Sequence, residues 1–301
     1  MCRVHLRDWG VQTGAVKVLH TIDELREALD GERSTGRSVG FAPTMGALHD
    51  GHVSLLKAAS THGVGVGSIF VNPLQFAPDE DLDSYPRMVD EDAVKAEAAG
   101  ISYLFVPSVA EMYPQENWTT VSLRVVTGPW EGANRPTHFA GVATVVAKLF
   151  NIVGPCTAYF GEKDFQQLAM LRRMVADLNM AIDIRGMPIV REDDGLAMSS
   201  RNLRLSAEQR AEAPIIQRAL QAGVRTIEVG ERSPAAVEAA IGDVLATATL
   251  ADEPDYVAVV DAASLLTPET MSGEVRLLTA MAFGDVRLID NVGVIIEDGA
   301  S

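Results

Sequence analysis

His49 and His52 stand three residues apart, with Gly51 between them, in the run Pro43-Thr44-Met45-Gly46-Ala47-Leu48-His49-Asp50-Gly51-His52. That spacing puts two imidazoles on one helix face, and a glycine between them lets a ligand approach the backbone. The apolar run 39–43 reads as a buried strand, and Leu55, Leu56 and Ala59 recur at helical spacing. The pair therefore lies where a strand hands over to a helix N-terminus, whose unpaired N–H groups and dipole attract anions. Imidazoles at such a place are donors for phosphate oxygens. The competing reading is a helix cap or a solvated face. A structural metal lacks further Cys or His at a suitable spacing.

Other side chains carry matching chemistry. Lys163, in Gly161-Glu162-Lys163-Asp164, follows an apolar strand and precedes a helix, so its ammonium can reach phosphate as a point charge. Asp164 suits an N-cap. Ser199, Ser200 and Arg201 offer hydroxyls and a guanidinium fork, although Ser-Ser-Arg-Asn also suits a capping turn. Asn72 and Gln75 leave a strand that Pro73 terminates. Glu91 and Asp92 read as a solvated acidic helix start, with a Mg²⁺ contact as the alternative.

These residues need a frame. Strands are expected at 39–43, 64–71, 103–106, 119–126, 157–160 and, as a pair around Gly186 and Pro188, 181–189. Helices alternate with them, including 21–29 with a Thr21–Glu24 capping box, 90–99, a buried 138–152 and 165–178. Such alternation predicts an α/β fold, a doubly wound parallel sheet (Rossmann-like) that binds ligands at the carboxyl ends of its strands. The loops from Thr44, Asn72 and Gly161 all leave strands there. After Pro188 the texture changes to alanine-rich helices at 207–227 and 234–248. Strands follow at 255–260, 275–283 and 286–289, with a hairpin turn at Gly284-Asp285. The expected domains are thus 1–188 for nucleotide and 189–301 for a smaller α+β lid. Residues 1–15 read as loosely ordered.

Composition narrows the partners. The formal charge is −16 over 301 residues, which argues against nucleic acid and anionic membrane. The part after residue 188 is the more acidic, with 9 Lys and Arg against 19 Asp and Glu. Any polyphosphate must then be neutralised by a few local cations. Cys2 and Cys156 are the two cysteines, which fits a reducing compartment. With neither a signal peptide nor a membrane span in view, a cytoplasmic protein is expected.

Four segments together resemble one family. The His-x-Gly-His run is similar to the signature of the nucleotidylyltransferase superfamily, shared by class I aminoacyl-tRNA synthetases. Phe70-Val71-Asn72-Pro73-Leu74-Gln75-Phe76, Phe160-Gly161-Glu162-Lys163-Asp164-Phe165-Gln166-Gln167 and Met198-Ser199-Ser200-Arg201-Asn202 narrow the resemblance to the pantothenate synthetase (pantoate–β-alanine ligase) family. Arg135-Pro136-Thr137-His138-Phe139-Ala140-Gly141-Val142 supports it, and the likeness runs from about residue 18 to about 290. It implies ATP-dependent joining of pantoate and β-alanine through a pantoyl adenylate, with Mg²⁺, in a homodimer.

Residue roles follow only from that resemblance. His52, as proton donor, with His49, Lys163, Ser199, Ser200 and Arg201, would act in catalysis. Met45, Gly46, Ala47, Leu48, Asp50, Gly51, Gly161, Glu162, Asp164, Val190 and Met198 would join them around ATP, with Asp164 on the ribose. Gln75 and Gln167, with Asn72 and Pro43, would hold the acyl substrate. Val142, Val145 and Val146 would wall its geminal methyl groups, unless that face is ordinary core. Phe165 stands where the family usually has Tyr, and Arg204 where an aromatic is common. Two other readings fit the histidine motif alone: a transferase that keeps the nucleotide in its product, and a non-catalytic nucleotide binder.

Overall fold

Strand β2 (Val39–Thr44) lies at the centre of a six-stranded parallel sheet, between β3 (Val64–Ile69) and β5 (Cys156–Gly161). The computed structural model describes residues 15–77, 82 and 85–297. The loose order expected for residues 1–15 lies, but for residue 15, outside the described residues, as does most of the acidic stretch 79–83. The sheet order is β1-β4-β3-β2-β5-β6, with β1 at Lys17–Leu19, β4 at Tyr103–Phe105 and β6 at Ile182–Met187. The chain builds outward on one side of β2, then crosses to start β5 on the other, so the order reverses between β2 and β5. Ligands bind at such a switch point.

The pairing there is short. β2 and β5 are in register only at Gly40–Thr157 and Phe41–Ala158, so their C-terminal halves part and open a crevice. Pro43, which has no N–H to give, falls where β2 has lost β5 as its neighbour.

Helices α1 (Ile22–Ser34), α2 (Asp50–Ser60), α3 (Val89–Ala98) and α4 (Val109–Met112) belong to the first half of this sheet. Helices α5 (Glu131–Asn134), α6 (His138–Val153) and α7 (Phe165–Asp177) follow. The expected Thr21–Glu24 capping box is present on α1. Helix α6 is buried on nearly every side, as its continuous apolar composition requires. Beyond the sheet come α8 (Ala207–Glu212), α9 (Ile215–Glu228) and α10 (Pro234–Leu245). They accompany an antiparallel sheet of β7 (Tyr256–Asp261), β8 (Gly273–Phe283) and β9 (Val286–Ile296). The α/β class with a small α+β domain is thus as expected. A second core, with Ile216, Leu220, Ile241 and Leu277, lies between α9, α10 and the small sheet.

Several elements differ from expectation. The 119–126 stretch pairs with no strand: Val125 has a φ of 68°, and the Val121 N–H donates to the Thr144 hydroxyl of α6 at 2.9 Å. Its apolar residues pack as a loop on that helix. The 181–189 pair is one edge strand, because Gly186 is no turn but the place where α7 comes closest; a Cβ there would lie 2.9 Å from Leu168. The helix expected over 207–227 breaks before Ile215, where Pro214 cannot supply the N–H that would continue it. Strand β9 runs past the expected end at 289, to Ile296.

Candidate functional site

The His49–His52 turn begins where β2 ends. Gly46 and Ala47 both take the left-handed conformation, with φ of 86° and 50°, which costs a non-glycine residue energy. Asp92 holds them there. Its carboxylate is fully buried and accepts the Ala47 N–H at 2.9 Å and the Leu48 N–H at 2.7 Å. The weak expectation of a Mg²⁺ contact at Asp92 is therefore corrected, since both its oxygens already serve the backbone. Glu91 beside it is exposed on the first turn of α3. Among the described residues, no group of three or more His, Cys, Asp or Glu is arranged to hold a metal.

His49 is the N-cap of α2, and its Nδ1 accepts the Gly51 N–H at 3.2 Å. The His49 N–H in turn points at Nδ1 of His52, at 3.5 Å, and the two rings lie 4.0 Å apart. A neutral imidazole that accepts at Nδ1 carries its proton on Nε2. Both rings thus have a donor left for the crevice. Burial, then the neighbouring His49 ring, push His52 down to about 3, although part of its ring lines the cavity. Burial and Lys163 lower His49 as well. With both pKa values lowered, each ring is an uncharged donor at neutral pH, able to offer a hydrogen bond from Nε2.

Lys163 lies in a tight turn (Glu162–Asp164) between β5 and α7. This turn is held from the small sheet: the Asn291 side-chain amide donates to the carbonyls of Glu162 at 2.8 Å and Lys163 at 2.9 Å. Arg276 pairs with Glu162 at 3.1 Å, donates to Oδ1 of Asn291 at 3.0 Å and stacks 4.0 Å from the Phe165 ring centre. Phe165, the departure from the family pattern, is thus a platform for a guanidinium. The Ser199–Arg201 turn hangs on β9, the strand of Asn291. Arg191, at the base of its loop, forms a bidentate pair with Asp290 at 2.6 and 3.0 Å. Ser199 caps the turn by accepting the Arg201 N–H.

These far-separated segments meet at one cavity of about 240 Å³. Pro43, Met45, His49, Gly51 and His52 line it from the β2 side. Gly161, Lys163, Asp164 and Gln167 come from β5 and α7, and Val190, Met198, Ser199, Ser200 and Arg201 from the loop beyond. Gln75 and the Val142, Val145 and Val146 face of α6 complete it. A second cavity of about 710 Å³ adjoins it and shares Arg135, His138, Lys163, Asp164, Gln167, Ser199 and Arg201 as lining.

Not every expected residue faces this space. Leu48 is buried in the α2 core, Gly46 and Ala47 shape the turn, and Asp50 begins the helix. Glu162 faces Arg276. Asn72, expected to help hold the acyl substrate, is 1 % exposed and lies behind Gln75 instead. Sequence reasoning left out Arg135 and His138 as site residues, although both stand in the quoted 135–142 segment. His138 Nδ1 lies 2.9 Å from the Gln75 carbonyl. It also missed Asn291, Asp290 and Arg276; a run of polar residues inside an apolar strand was the available signal.

The sequence model of the pantoate-beta-alanine ligase family matches residues 17–293. The chain belongs to that family. It is 51% identical to a pantothenate synthetase of Rhizorhabdus wittichii over 280 residues, covering 93% of this chain and 99% of that one. A Bacillus cereus pantothenate synthetase is 46% identical over 283 residues, covering 94% and 100%. Among solved structures, a pantothenate synthetase from Thermus thermophilus superposes with a TM-score of 0.87 at 45% identity, covering 92% of this chain and 99% of that one. A pantoate-beta-alanine ligase from Francisella tularensis, complexed with β-γ ATP and β-alanine, gives 0.73 at 30% identity, covering 95% and 100%. Among the described residues no helix is long and apolar enough to cross a membrane.

Proposed function

We propose that this ligase-family protein condenses pantoate with β-alanine in two steps, consuming ATP. The pantoate carboxylate attacks the α-phosphorus, the bond to the β-phosphate oxygen breaks, and pyrophosphate leaves with the electron pair. The β-alanine amine then attacks the acyl carbon, the acyl–oxygen bond breaks, AMP departs, and the amine loses a proton. The observation that carries this reading is the convergence of His49, His52, Lys163, Ser199, Ser200 and Arg201 on one cavity that Gln75, Gln167 and an apolar valine face also line.

Nucleotidyl transfer asks a protein mainly for positioning and charge stabilisation. Neutral Nε2–H donors and a lysine supply both where charge builds on the phosphates. The valines of α6 suit the geminal methyl groups, and the glutamine amides suit hydroxyl and carboxylate oxygens. Asp164, exposed at the rim, fits the ribose. It also fits a Mg²⁺ that arrives bound to phosphate oxygens, a cation that uses one or two protein carboxylates at such sites and screens the triphosphate charge.

A cytoplasmic homodimer belongs to the same proposal, as does a division near residue 188 with 189–301 as a lid. Sedimentation should give twice the chain mass. The deciding assay is exchange of labelled pyrophosphate into ATP, expected to need pantoate and to proceed without β-alanine. Exchange supported only by a phosphorylated acceptor would favour a transferase, and no exchange would favour a binder.

A further inference from the structure

Gln75 is wired from behind, through a buried chain that ends at Tyr113. Asn72 Oδ1 accepts the Leu74 N–H at 3.3 Å and the Tyr113 hydroxyl at 2.8 Å. Asn72 Nδ2 donates to the Gly141 carbonyl at 3.2 Å and to Gln75 Oε1 at 3.1 Å. A backbone N–H only donates and a backbone carbonyl only accepts. Leu74 and Gly141, at 3.3 and 3.2 Å, therefore favour one sense of the Asn72 amide, and the shorter bond from Tyr113 at 2.8 Å strengthens it. With Oε1 of Gln75 occupied, its NH₂ is the end that turns toward the cavity, where it lies 3.1 Å from Met45 Sδ. The assembly is tight, because a Cβ on Gly141 would overlap the Leu74 carbonyl.

We propose that Tyr113 is a positioning residue for the acid substrate: through Asn72, its hydroxyl locks the Gln75 amide with the NH₂ end facing the crevice. The proposal rests on the ligase reading above. Tyr113 is itself fixed, with its ring 6.1 Å from that of Phe70 and the Lys148 ammonium 5.2 Å from its centre. Its consequence is a one-way reader. Gln75 offers hydrogens only, so the substrate atom it meets must accept, as a carboxylate, carbonyl or hydroxyl oxygen does, and a group that only donates is turned away. Without the Tyr113 hydroxyl, Asn72 Oδ1 keeps only the longer bond from Leu74. The two amides then gain freedom to turn, and part of the population presents Gln75 Oε1 to the acid.

Tyr113→Phe removes one oxygen and leaves the ring packing in place. In the pyrophosphate exchange assay, its KM for pantoate should rise about five- to tenfold, the worth of one buried hydrogen bond. Its KM for ATP should stay at the wild-type value, and its melting temperature should fall by no more than the loss of one hydrogen bond allows. Asn72→Asp can only accept from Gln75, which would have to turn its NH₂ inward, so kcat/KM for pantoate should fall at least about a hundredfold, the worth of a buried polar group left mispaired. Adding Tyr113→Phe to that variant should cost little more, because both changes act along one path. An unchanged pantoate KM in Tyr113→Phe, an equal rise in the ATP KM, or full additivity of the two variants would overturn the relay. Absence of pantoate-dependent exchange in the wild type would instead defeat the ligase reading on which it rests.

Discussion

Behind the imidazoles stand β2, β3 and α2, packed through Ala42, Leu48, Leu55, Leu56 and Ile69 in a dry apolar cluster. The opposite side is held otherwise. The Lys163 turn and the Ser199–Arg201 turn reach β8 and β9 through amides and ion pairs, with Asn291, Arg276 and the Arg191–Asp290 pair as fasteners. Apolar burial is non-directional and tolerant of small displacements, whereas hydrogen bonds fail steeply with geometry. The histidine side is thus a stiff base, and the cation side is placed by a few aimed contacts from another sheet. Substitutions on the two sides should therefore fail differently.

His52→Ala should show the largest effect. Loss of one donor aimed at developing phosphate charge typically costs about 10²–10³ in rate. Because the apolar base remains, thermal melting should stay near wild type; wild-type exchange in this variant would remove His52 from the mechanism. Asn291→Ala tests the other side. It frees the Glu162 and Lys163 carbonyls, and each lost hydrogen bond is worth about 1 kcal/mol. The KM for ATP should rise about tenfold with the pantoate KM unchanged; an unchanged ATP KM would mean that the Lys163 turn holds itself.

The last test is a pH slope. His52 has a folded-state pKa of about 3 against an ordinary 6.5. Between those values the unfolded chain binds the proton and the folded one does not, so stability rises with pH there and falls on acidification. The slope contributed is at most about 1.4 kcal/mol per pH unit. Urea melts at pH 7 and pH 5 should show the wild type losing more stability than His52→Gln. Equal losses would place the acid sensitivity elsewhere.

Much of this contrast is legible in the chain. The strand before His49, the glycine after it and the loops leaving strand ends are local signals, set by apolar periodicity and turn chemistry. They mark the crevice without any coordinate. The fasteners are not legible, because Asp290 and Asn291 meet partners that lie about a hundred residues or more away in the chain. Asn72 shows the same limit: Pro73 announces its loop, but its direction depends on Gly141 and Tyr113, which no spacing links to it. Likewise Asp92 looks like surface charge until the left-handed Ala47 turn is seen above it. The break at Pro214 is readable in the sequence, but the alanine periodicity around it masks the signal.

The neutrality of the two imidazoles has a further effect on traffic through the site. Lys163, Arg201 and Arg135 then carry the positive charge that lines both cavities, while the rings line only the narrow one. On the ligase reading, a freed pyrophosphate has uncharged rings at its back and these three cations ahead of it. The wide cavity, lined by those cations and not by the rings, is then the side through which departure leads away from the newly made adenylate.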